Sequence, residues 1–126
     1  MKQTISLNNV IDMHVHTAPD VIQRTYNDLE LTAAAVRAGA RAIVIKGHHC
    51  ATMARAALCN AYNRRAFDSN PFVMYGGLVL NYEAGGLNSQ AVRTALEMGA
   101  KVIWLPTVDA ENDRRKHGKA GGIRMT

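Results

Sequence analysis

The sequence predicts an α/β protein built from repeated strand–helix units with parallel strands, and three observations predict it. Four apolar runs rich in β-branched residues recur at residues 10–15, 42–46, 72–80 and 102–105. Their starts lie about 30 residues apart, the length of a strand–helix–strand unit. The segments between the runs carry helical apolar patterns ended by glycine or by a breaker cluster. One junction also occurs twice: Ala35-Val36-Arg37-Ala38-Gly39-Ala40-Arg41-Ala42-Ile43 is echoed two units later by Ala95-Leu96-Glu97-Met98-Gly99-Ala100-Lys101-Val102-Ile103. In both copies a helix stops at glycine and the chain passes directly into an apolar strand, with Arg41 or Lys101 at its solvent-facing start.

Each element follows from its residues. The first strand is expected over residues 10–15, where Asp12 and His14 alternate with apolar neighbours. The first helix runs through Leu29, Leu31, Ala34, Ala35 and Ala38, with Asp28 or Thr25 as its cap and Gly39 as its stop. A second strand follows at 42–46. The second helix spans about residues 52–67 and ends before Asp68-Ser69-Asn70-Pro71. The third strand fills 72–80, a third helix starts near Asn88 or Ser89 and stops at Gly99, and the fourth strand is 102–105. Past Asp109 the chain turns polar. Residues 1–110 are therefore expected to form the domain, and 111–126 a basic, irregular tail.

Strands alternating with helices imply a parallel sheet. An open doubly wound sheet and a closed eightfold barrel share this local pattern, and a closed barrel needs about 250 residues. A chain of 126 residues with four strands and about three helices therefore corresponds to about half of a TIM-type barrel, a truncated one or one that pairs with something.

Composition narrows the function classes. The chain is 48% apolar, enough for a core. No apolar run reaches the roughly 20 residues of a membrane span, and residues 1–10 lack the apolar stretch of a secretory signal, so no membrane partner and a cytoplasmic location are expected. The net charge of +5 is scattered apart from Arg64-Arg65 and Arg114-Arg115-Lys116, with no interleaved aromatics, so no nucleic-acid partner is expected. Cys50 and Cys59 are too few and too widely spaced for a disulfide framework or a CxxC zinc pair.

The chemistry is expected at the carboxyl ends of the strands, where parallel α/β folds place their sites. Period-two alternation predicts Asp12, His14 and His16 on one face of a buried first strand. Two imidazoles so spaced can grip one divalent cation, with zinc expected and manganese or iron as alternatives, and Asp12 can ligate or orient a histidine. Lys46, His48 and His49 end the second strand on the same rim. Lys46 is a candidate for a buried amine of lowered pKa, a carbamylated metal bridge or a phosphate contact. His48 and His49 are candidates for ligand, general base or substrate contact. Asn81 and His117 are candidate substrate contacts, and Asp109 a candidate ligand or base.

Ile11-Asp12-Met13-His14-Val15-His16 resembles the opening motif of the amidohydrolase superfamily and of the related TatD-like and PHP-type metal hydrolases. The wider pattern resembles one group of amidohydrolase-related proteins. Its matching blocks are His14-Val15-His16-Thr17-Ala18-Pro19-Asp20, Lys46-Gly47-His48-His49, Gly76-Gly77-Leu78-Val79-Leu80-Asn81 with Gly85-Gly86-Leu87-Asn88, and Trp104-Leu105-Pro106-Thr107-Val108-Asp109-Ala110. The resemblance implies a (β/α) barrel with one or two divalent metals, His14 and His16 as the first-strand ligand pair, and activated-water attack on a C–N or ester bond of a small polar substrate. Phosphoester hydrolysis of the PHP type is the alternative activity. An inactive partial barrel acting as an assembly or binding module is the non-enzymatic one. The superfamily's bridging lysine falls on the fourth strand, whereas Lys46 lies on the second. Self-association is expected from the two open edges and apolar interior of a half-barrel.

Overall fold

The computed structural model describes residues 5–125. Residues 1–4, which belong to the segment expected to lack a signal, and Thr126, the end of the expected tail, lie outside the described residues. The order of elements is β1 (Ile11–Val15), α1 (Asp28–Ala38), β2 (Ala42–Ile45), α2 (Met53–Ala66), β3 (Val73–Tyr75), β4 (Gly77–Val79), a 3-10 turn (Tyr82–Ala84), α3 (Ser89–Glu97), β5 (Val102–Trp104) and α4 (Glu111–Lys116). The protein is α/β with parallel strands, in one sheet of order β1-β2-β3 and a second of order β4-β5. The described strands do not close into a barrel.

Local chemistry explains the helices. At α1, Asn27 Oδ1 accepts from the Glu30 N–H and Glu30 Oε2 accepts from the Asn27 N–H, both at 2.9 Å, a reciprocal capping box. Asn27 is thus the cap expected of Asp28 or Thr25. Gly39, at φ 74°, ends the helix in the left-handed conformation. Asn88 caps α3 through the N–H groups of Gln90 and Ala91.

Three further expectations are corrected. The run 72–80, expected as one strand, is split at Gly76. Thr52, fully buried in the loop before α2, accepts from the Gly77 N–H at 2.8 Å and donates from its own N–H to Gly77 O at 3.1 Å. This loop residue takes the position a strand neighbour would hold, so β3 pairs with β2 and β4 with β5. Glycine is required at the break: a Cβ on Gly76 would lie 2.5 Å from the Met53 nitrogen. Residues 111–116, expected to be irregular, form α4, which a parallel bridge between Ala110 and Ile123 ties back to the chain end. The polarity of that segment reflects exposure rather than loss of structure.

The third correction concerns β1. It lies at the edge of its sheet, and Ile11 and Met13 are 60% and 58% exposed, where a buried strand was expected. Apolar packing is concentrated at β2, whose four residues are all buried. Ile43 and Ile45 pack there with Leu31, Ala35, Ala56, Cys59 and Met74, and Val15 is the β1 residue that joins them. A second cluster, around Met53, Leu78, Leu80, Ala95 and Ala100, seats α3 on β4 and β5.

Candidate metal and substrate site

The carboxyl ends of β1, β2, β4 and β5 bring His14, His16, Lys46, His48, Asn81, Trp104 and Thr107 together. His14 Nε2 and His16 Nε2 lie 3.0 Å apart with their rings edge to face. The His16 ring stacks on His48 at 4.7 Å between centroids, and His48 neighbours His49 at 6.3 Å. The Trp104 ring lies against Gly77, where a Cβ would meet it at 2.5 Å. From there it reaches Lys46, whose Nζ is 5.2 Å from the ring centroid, and His14, whose ring is 6.3 Å away. Trp104 was not singled out as a site residue. Its signal is that the chain's one tryptophan falls at a strand end.

Crowding of positive and imidazole groups sets the protonation states. Burial, followed by the nearby charges of Arg24, His48, His14 and Lys46, lowers the His16 pKa to about 4. Burial first, and then Lys46 and His49, lowers His48. Lys46 is 6% exposed, and burial lowers its ammonium pKa. His16 is therefore neutral at pH 7, the state in which an imidazole nitrogen can bind a metal.

The pair has the donor chemistry of a metal site. Two nitrogens bound to zinc at 2.0–2.1 Å in tetrahedral arrangement stand roughly 3.3 Å apart, close to the separation here. His16 Nδ1 is buried and has no hydrogen-bond partner among the described residues. The expected third member is not with the pair. Asp12 aligns with Ile43, while Val15 aligns with Ile45, so three steps along β1 match two along β2. This irregularity shifts the alternation by one residue. The Asp12 carboxylate accepts from the backbone N–H of His14 at 3.0 Å. Among the described residues, no group of three or more His, Cys, Asp or Glu side chains is arranged to hold a metal ion.

The other candidates have defined places. Asn81 is 0% exposed and works inward. Its Nδ2 donates to His48 O and to Thr107 Oγ1, both at 2.9 Å, and its Oδ1 accepts from the Thr107 N–H at 2.9 Å. Asp109 Oδ2 accepts from the Tyr82 N–H at 2.9 Å and its other oxygen faces Arg114 at 3.9 Å. His49 Nδ1 lies 2.6 Å from Glu83 Oε1, joining the loops after β2 and β4. His117 is exposed at the C-cap of α4, with Nδ1 2.9 Å from Asp113 O and 3.4 Å from Asp113 Oδ2.

Beside His48 opens a cavity of about 270 Å³, walled by Pro19, Asp20, Val21, Cys50 and Arg55 among others. Two ion pairs shape it. Arg24 holds Asp20 at 2.6 Å. Arg55 grips both Asp28 oxygens, at 2.7 and 2.8 Å, and donates to Thr17 Oγ1 at 2.9 Å. Neither pair stood out in the sequence, because an ordinary Arg and Asp carry no pattern until the fold brings them together.

A family profile matches residues 9–124. The chain belongs to the family of unknown function DUF6282. No curated protein and no solved structure matches it. The match to DUF6282 spans all the strands and helices described above.

Proposed function

We propose that this DUF6282 chain is a metal-dependent hydrolase of the amidohydrolase type, acting on a C–N or ester bond of a small polar substrate. The observation that carries the reading is the approach of His14 Nε2 and His16 Nε2 to 3.0 Å at the carboxyl end of β1. His14 and His16 would hold a divalent cation, zinc in the first instance, with manganese or iron as alternatives. Such a cation lowers the pKa of bound water toward 7 and polarises a carbonyl. The protein's own residues prepare the site. Burial and like charge keep His16 neutral. Lys46, pressed on Trp104, presents an amine of lowered pKa to the same face. Asp109 is occupied by the Tyr82 N–H and faces Arg114, so it acts in this reading as a brace for the rim.

The half-barrel reading is supported by strand order. Within each sheet every strand pairs with the next one in sequence, and β1 stands at an edge. A doubly wound sheet places its first strand inside. The open edge and the exposed Ile11 and Met13 favour self-association.

Protein purified without chelator would be loaded with zinc, manganese or iron and assayed on amides, lactones and phosphoesters. Turnover of an amide or lactone that is lost in H14A and H16A supports the proposal. Turnover confined to phosphoesters supports the PHP-type alternative. Self-association without any turnover supports a binding module and contradicts the enzyme reading.

A further inference from the structure

We infer that His48 presents an Nε2–H donor, rather than a lone pair, to the cavity beside it, and that the cavity takes a neutral carbonyl oxygen. Thr107 and Asn81 set this tautomer as positioning residues. The inference concerns the cavity's organic ligand and does not depend on a metal at His14 and His16.

The groups around His48 have hydrogen-bonding roles fixed by their backbone partners. Asn81 Oδ1 accepts from the backbone N–H of Thr107 at 2.9 Å, and Asn81 Nδ2 donates to the backbone carbonyl of His48 at 2.9 Å. A backbone N–H can only donate and a carbonyl only accept, so the orientation of the Asn81 amide is determined. Its second N–H then points at Thr107 Oγ1, 2.9 Å away, which must accept it. The same hydroxyl lies 2.8 Å from His48 Nδ1. If Thr107 donates its hydrogen to a bare Nδ1, every group in the chain is satisfied. In the opposite arrangement Nδ1–H donates to Thr107, and the hydroxyl hydrogen has no acceptor among the described residues. The first arrangement is favoured because a partly buried donor without a partner is costly. A neutral imidazole carries one proton, so Nε2 holds it.

His48 lines the cavity, and its Nε2 has no hydrogen-bond partner and is not buried among the described residues. It is open to a ligand acceptor. The charges around the cavity select which one. Arg55 is neutralised by Asp28, and Asp20 by Arg24. With Arg55 and Asp20 both already paired, neither charged wall residue is free to bind an incoming anion, while Pro19, Val21 and Cys50 offer an apolar seat. An amide, ester or lactone carbonyl fits this balance better than phosphate or carboxylate.

The test is ¹⁵N imidazole NMR of the histidine-labelled chain, with the His48 signals identified by their loss in H48N. Wild type is expected to show protonated Nε2 and bare Nδ1 at His48. T107V should raise the Nδ1–H form from minor to comparable population, and T107S should restore the wild-type ratio. N-methylacetamide should shift the His48 Nε2 signal, and inorganic phosphate should leave it in place. A bare Nε2 in wild type overturns the inference without recourse to any variant. An unchanged tautomer in T107V overturns the positioning role. A phosphate response, or no amide response, overturns the ligand class. Zinc added to the same sample reports separately on His14 and His16, so failure of the metal reading is distinguishable from failure of this one.

Discussion

β1 and β2 are neighbours in one parallel sheet, yet they live in opposite surroundings. All four residues of β2 are buried, and Ile45 is 0% exposed. β1 is exposed along Ile11–His14 and holds the core through Val15 alone. The difference separates stability from chemistry in this molecule. β2, α1 and α2 supply the apolar burial that drives folding. β1 contributes little to that core and carries His14 on an accessible edge, with the half-buried His16 just past its end. Sites are commonly placed on such lightly packed positions of a rigid scaffold.

The first way to break this comparison is a pair of apolar truncations, one in the core and one on the exposed edge. I45A in β2 should cost about 2–5 kcal/mol in urea denaturation, as cavity-forming changes do. M13A in β1 should stay within about 0.5 kcal/mol. Equal losses would mean that β1 is covered in solution, for instance by a second copy.

The next largest effect is expected at Asn81. N81A would leave the His48 carbonyl and the Thr107 N–H without their partner. At roughly 1–3 kcal/mol for each polar group left dry, the loss should reach at least about 2 kcal/mol. N81A should therefore behave like a core change, although Asn81 sits on the functional rim.

A smaller effect is expected with pH. His16 titrates near 6.5 when unfolded and at about 4 when folded. The unfolded chain thus binds more protons between these values, and stability rises with pH across that window. The contribution of His16 is present above pH 6.5 and is lost as the pH falls toward 4. Urea midpoints at pH 7 and 4.5 should differ more in wild type than in H16Q. An equal difference in both would remove His16 as the cause.

How far the sequence could be read follows the same division. Helix stops at Gly39 and Gly99, the breaker cluster after α2 and the four apolar runs are local signals, and the parallel α/β class rests on them. The split at Gly76 was hidden because it depends on Thr52, distant in sequence, inserting beside Gly77. The exposure of β1 was hidden because alternation reports which residues share a face, not whether anything covers that face. Asp12 was grouped with the histidines by strict period two, and the irregular register between Asp12 and Val15 breaks that rule. The inward role of Asn81 could not be read locally either, since its partners come from two other loops.

Zinc binding, followed by calorimetry on chelator-stripped wild type, D12A, H14A and H16A, tests the imidazole pair most directly. Wild type and D12A should bind zinc with similar affinity, and H14A and H16A should each lose binding by at least about tenfold, or 1.4 kcal/mol. Undiminished binding in both histidine variants, or none in wild type, would contradict a metal held between His14 and His16.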